Sequence, residues 1–167
     1  VKSNVGQLAI YAAWNIRVQG ATNSVTITTS RIDSNPVAVV GEYRGVVTAA
    51  DPVDVMAGHT GAPPGPPDST MATTTNAHDL IIGIGAADTN MGAGGGFTAR
   101  TSPGLDVIED EIVTSKGGNH ATATQTGGTV GLMRMVAVKA ADWGRTARRR
   151  RARGPEPAGR RSPSACA

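Results

Sequence analysis

The stretch Ser69–Ala87 (STMATTTNAHDLIIGIGAA) narrows the fold of this chain more than any other. A threonine-rich segment meets a short turn at Asn76-Ala77 and then the most hydrophobic run in the sequence. Side chains alternate along an extended chain, so Leu80, Ile82 and Ile84 share one face and Ile81, Gly83 and Gly85 the other. The run is too short to cross a bilayer, and its glycines disfavour a helix. It reads as a central β-strand.

The rest of the chain repeats this pattern. Alternating or β-branched runs are predicted as strands at 7–14, 24–30, 37–43, 52–56, 70–75, 79–86, 97–101, 105–115, 120–125 and 130–139. Turn chemistry separates them, as at Asp33-Ser34-Asn35-Pro36, the proline-rich His59–Asp68, Asp88–Gly96 and Pro103-Gly104. No helical periodicity interrupts them. Many short strands in 167 residues predict an all-β fold, an antiparallel two-sheet β-sandwich of jelly-roll or immunoglobulin-like type. With aromatics at 3%, its core must be built from Val, Ile, Leu, Ala and Met.

Charge divides the chain in two. Residues 1–144 hold 8 Lys and Arg against 12 Asp and Glu, a net of −4, whereas residues 145–167 hold 8 Arg against Glu156 alone, a net of +7. The pI near 9.5 therefore belongs to the tail, and a specific nucleic-acid partner for the body does not follow from it. The run Arg148–Arg151 lacks interleaved aromatics, so salt-dependent, non-specific attraction to polyanions is the expectation. A β-domain over residues 1–141 and a disordered Arg/Pro/Gly/Ala-rich tail over 142–167 are expected, because from residue 144 on the tail has no Ile, Leu, Val or aromatic side chain with which to offset its ordering entropy. The one cysteine, Cys166, allows no disulfide within the chain. No run is long enough for a membrane span, and the 167 residues contain no signal-peptide pattern.

The order QLAIYAAW, GEYRGV, DPVDV, TTTNAHDLIIGIG, FTART, LDVIEDEIV, HATATQ and LMRMVAVK resembles a recurrent β-sandwich domain of uncharacterised exported bacterial proteins, found beside immunoglobulin-like adhesion modules. The resemblance covers roughly residues 1–139. It implies a secreted or cell-surface location and a glycan or surface protein as partner, and it brings no catalytic residues. Two departures stand out. Such domains carry further strands before the position of Val1, and they end near Lys139, so the chain reads as N-terminally truncated with a frameshifted tail. A missing strand leaves a bare sheet edge, which predicts poor solubility.

The candidate chemistry lies in Asp106, Glu109, Asp110 and Glu111. On a strand Glu109 and Glu111 point together while Asp110 faces away between Ile108 and Ile112, so one face carries carboxylate among apolar neighbours. Three readings are open. An inward carboxylate pairs with Arg134, itself set between apolar residues, as a structural ion pair of Arg134 with Glu109 or Glu111. The four acidic residues hold calcium. Or Glu109 and Glu111 form the close carboxylate pair of a retaining glycosidase, although the aromatic platform of a sugar cleft is lacking.

The histidines, His59, His78 and His120, have no metal-ligand spacing. The glycines of 83–85 and 92–96 match no phosphate-loop pattern. No nucleophile elbow is present. The sequence thus predicts a non-catalytic module for adhesion, ligand display or spacing, with ligands engaged at the loops Pro52–Asp68 and Asp88–Gly96. Its alternatives are a calcium-assisted carbohydrate-binding module and a glycoside hydrolase fragment.

Overall fold

A computed structural model describes residues 8–16, 24–28, 37–59, 66–101, 104–128 and 130–141. The tail at 142–167, with Cys166, lies outside the described residues, as does the proline-rich loop at 60–65. Among the described residues eight strands are formed: β1 Val53–His59, β2 Ala72–Thr74, β3 Leu80–Ala93, β4 Thr98–Ala99, β5 Gly104–Ile112, β6 Gly117–Asn119, β7 Ala123–Gln125 and β8 Gly131–Val138. Among the described residues there is no helix. The fold is all-β and every ladder is antiparallel.

The main sheet has six strands in the order β1-β8-β3-β5-β4, with β7 pairing the far end of β3. β2 and β6 form a separate two-stranded ribbon. β3 is the axis. Its first half pairs with β5 on one side and β8 on the other, and Met91–Ala93 pair with Ala123–Gln125. β7 and β8 thus run end to end along one flank of β3, separated by residues 126–130. Asp88 holds that excursion: its backbone N–H donates to Val130 O, and its carboxylate accepts from Gln125 Nε2 at 2.9 Å.

Strand alternation is realised as expected, and the glycine face is the sealed one. Ile81, Gly83 and Gly85 are buried, whereas Leu80, Ile82 and Ile84 are half-buried. The register aligns Val107, Glu109, Met133, Met135 and Ala137 with the glycine face. Met133, Met135, Ile81 and Val107 there are at most 2% exposed. Burying each such side chain contributes about 1.5–3 kcal/mol. The chain leaving β6 crosses directly over the glycines, and a Cβ built on Gly83 would lie 2.8 Å from Ala121 Cβ. Only glycine admits so close a layer.

Three expectations change. The described parts of the segments predicted as strands at 7–14, 24–30 and 37–43 are irregular, with Tyr11, Val25, Ile27, Val37 and Val40 exposed. Alternation makes a strand only where a neighbouring backbone accepts the ladder, and among the described residues these segments pair with none. The loop predicted at Asp88–Gly96 is strand as far as Ala93, because Met91–Ala93 find β7. The gap left between the strands predicted at 105–115 and 120–125 holds β6, which pairs with β2. Among the described residues the second layer is therefore the short β2–β6 ribbon and the crossing chain.

Candidate functional site

The alternation of β5 divides its acidic residues between the two faces of the sheet. Glu109 stands opposite Gly83 and Glu111 opposite Ile81, on the glycine face, while Asp106 and Asp110 stand opposite Ala86 and Ile82 on the other. Among the described residues no group of three or more His, Cys, Asp or Glu side chains is placed to hold a metal ion. Arg134 stands opposite Ile84 and Gly58, on the face of Asp110. It is thus across the sheet from Glu109 and Glu111, and parity alone prevents the ion pair expected from sequence. The Arg134 side chain instead lies over Gly58, where a Cβ would approach its Cγ to 2.9 Å.

Asp110 is bound by partners the sequence did not single out. Arg100 donates from Nε at 2.7 Å and from Nη2 at 2.6 Å, and Tyr43 donates its hydroxyl at 2.9 Å. The bonds from Arg100 hold the carboxyl below its ordinary range against the opposing effect of burial. Burial, and then the Asp110 carboxylate, push the Tyr43 hydroxyl up to about 12. A weak signal for Arg100 was present, since β4 and β5 form a hairpin that sets residue 100 against residue 108. For Tyr43 no local signal exists.

Glu109 is fully buried. Its Oε2 accepts the Gly94 N–H at 2.8 Å, while Oε1 has no hydrogen-bond partner and faces Gly83 and the Met133 methyl group. Burial pushes its carboxyl up to about 7; the Gly94 bond opposes this and the charge of Glu111 adds to it. The carboxylate of Glu111 lies against Gly96, whose φ is +90°. The two glutamates do share a face, but Glu109 is sealed beneath the crossing chain rather than open to a cleft.

A second acidic pair, absent from the sequence reading, lies at the β1 end of the sheet. The ladder between β1 and β8 slips by one residue between Val53 and Val55, which makes Asp54 the extra residue of a β-bulge. A bulge turns its side chain out of the ladder. Asp54 accepts the Thr75 N–H at 2.6 Å, the Thr75 hydroxyl, and Asn76 Nδ2 at 3.5 Å. Beside it stands Asp79, fully buried, with neither carboxylate oxygen receiving a hydrogen from a protein N–H or hydroxyl donor. Burial, and then the adjoining Asp54 carboxyl, push Asp79 up to about 6, while Lys139 pulls it back. Burial also opposes ionisation of Asp54, but the bonds from Thr75 outweigh it and hold that carboxyl below its ordinary value.

The histidines do not converge. His59 ends β1, His78 is an exposed turn residue with φ of 65°, and His120 pairs with Asp68 at 3.0 Å on the surface. Gly83 and Gly85 are strand glycines beneath a packed layer, as the absence of a phosphate-loop pattern implied. Comparison with known protein families, curated proteins and solved structures finds no match to this chain.

Proposed function

We propose that the chain is a non-catalytic β-module serving adhesion, ligand display or spacing in a secreted or cell-surface protein. One observation carries the reading: the two most deeply buried of the four carboxylates that offered chemistry in the sequence are bound into the scaffold. Glu109 is sealed in the core and anchors Gly94, and Asp110 is clamped between Arg100 and Tyr43. Groups held in this way position backbone and strands. The location, and a glycan or surface protein as partner, follow from the family resemblance. The calcium-assisted carbohydrate-binding alternative loses support at Asp106, Glu109, Asp110 and Glu111, which the sheet divides two and two.

The test is a panel of polysaccharides offered to the chain in solution and, separately, immobilised for binding. The expected result is no turnover by the natural chain and retention on a glycan or surface-protein ligand without change in E109Q and E111Q. Turnover that disappears in either variant would replace this reading with that of a hydrolase.

A further inference from the structure

We propose that Asp54 and Asp79 share one proton, and that this carboxyl pair is a pH-sensitive latch fastening the β2–β6 ribbon to the main sheet. The hydrogens around the pair say which member carries the proton. Asp54 accepts the Thr75 N–H, the Thr75 hydroxyl and Asn76 Nδ2, so its oxygens are occupied as those of a carboxylate. Asp79 is fully buried, and neither of its oxygens accepts an N–H or hydroxyl hydrogen. An ionised carboxylate in that position is costly. Its polar neighbour is Asp54, with which it shares a side-chain hydrogen bond. A bond between two carboxyl groups needs a proton, and the placement of donors puts that proton on Asp79.

The position gives the pair a mechanical role. The slip between Val53 and Val55 takes residue 54 out of the β1–β8 ladder and turns it toward the turn after β2. Thr75 and Asn76 follow directly on β2, so Asp54 holds one end of the ribbon against β1. Asp79 leads into β3, and continuing the ladders past Leu80 sets Lys139 on one side of it and Val113 on the other. Lys139 brings a positive charge, Val113 is apolar, and Glu111 on β5 has its carboxylate against Gly96. β6 carries no titratable side chain, and His78 and Lys116 are exposed.

Burial, and then the Asp54 carboxyl, push Asp79 up to about 6 against the pull of Lys139. Asp79 therefore fastens the latch fully below its ordinary 3.8 and releases it as pH rises through about 6. At Asp54 the bonds from Thr75 outweigh burial and hold the carboxyl below its ordinary value, so its own hold is lost only in stronger acid. Above the upper value two carboxylates repel each other beside a single ammonium, and the turn loosens from the bulge. The latch shares no residue with the acidic set on β5, and the proposed module function stands with or without it.

The experiment joins two measurements on the full chain: NMR titration of the Asp79 carboxyl carbon, and amide hydrogen exchange at pH 5 and pH 7.5, corrected for the intrinsic rates. Asp79 is expected to titrate near 6, and D54N should move that midpoint back toward the ordinary carboxyl range. Protection of the Thr75 amide should fall about tenfold between the two pH values, the change implied by a proton bound near 6 when closed and near 3.8 when open. In D79N the side-chain amide donates to Asp54 at every pH, so Thr75 protection should stay level. Glu109 is present in both chains, and its own titration cancels in the comparison. An Asp79 midpoint in the ordinary range, or one that D54N leaves unmoved, would overturn the proposal. So would a fall in Thr75 protection of equal size in D79N. Should D79N fail to fold, the midpoints in the natural chain and D54N decide alone.

Discussion

The Tyr43 hydroxyl donates to Asp110 across a separation of 67 residues, and so ties the irregular segment before β1 to the half-buried face of β5. Arg100 completes the clamp with two short bonds to the same carboxylate. Truncation to Y43F removes one hydrogen bond to a charged group at a half-buried position, and is expected to cost about 1.5 kcal/mol, the low end for such bonds. Replacing Arg100 with Met leaves a nearly buried carboxylate with Tyr43 alone, and should lower the Tm further than Y43F does. Because Arg100 depresses the Asp110 carboxyl, the clamp contributes fully above the ordinary carboxylate range and is lost as pH falls through the folded-state value. Urea melts of the natural chain and both variants at acidic and neutral pH check this. Equal stabilities would show that the clamp is incidental.

Glu109 makes the opposite prediction. Its folded-state value near 7 lies above the ordinary 4.5, so the folded chain keeps a proton that the unfolded chain has released. The contribution of Glu109 to stability is therefore greatest below pH 4.5, falls as pH rises toward 7, and is level beyond. A shift of this size corresponds to about 3 kcal/mol for a fully buried group. E109Q keeps an acceptor for the Gly94 N–H but cannot ionise. It should match the natural chain in acid and exceed it in stability at pH 8. Denaturant titrations of the pair across pH 4–8 isolate the effect, since other titrating groups cancel in the difference.

Gly83 shows how closely the crossing chain sits on β3. A Cβ there would come within 2.9 Å of Glu109 Oε1 and the Met133 methyl, besides its contact with Ala121. The Met133 methyl is flexible, but Ala121 belongs to the crossing chain and cannot withdraw without displacing it. G83A is expected to destabilise by about 1–3 kcal/mol through overpacking. G95A, at a glycine with nothing within 4 Å, serves as the control and should change little by comparison. Thermal denaturation of the two variants side by side decides the matter.

What could be read from sequence divides along physical lines. The two-residue period of β3, β5 and β8 is local and strong, so their existence and the facing of Glu109 with Glu111 were legible. The period says which side chains share a strand face, but not how two strands are registered. Arg134 therefore seemed available to Glu109, whereas the register puts it with Ile84 and Gly58. The segments around Tyr11, Val25 and Val39 carry the same alternation as β8 but no ladder partner among the described residues, and composition cannot supply one. Asp54 and Asp79 were hidden for a related reason. One gains its role through a one-residue slip in a ladder, the other through a turn that places residue 79 beside residue 54.

Ser69 carries the last prediction, because a single hydroxyl there fixes the start of the layer over the glycine face. Ser69 is fully buried; its backbone N–H donates to Ala121 O at 2.9 Å, and its Oγ accepts the Ala121 N–H, also at 2.9 Å. The same hydroxyl donates to Thr70 O at 3.1 Å, where the backbone turns with a φ of 66°. S69A keeps the volume and the backbone bond but strands the Ala121 N–H in the core beside Gly83. An unmet buried donor costs about 1–3 kcal/mol. The loss should appear as faster amide hydrogen exchange at Ala121 and Ala123, with protection in β8 lowered only by the global change in stability. Unchanged exchange at Ala121 in S69A would mean that the crossing chain is held by its apolar contacts alone.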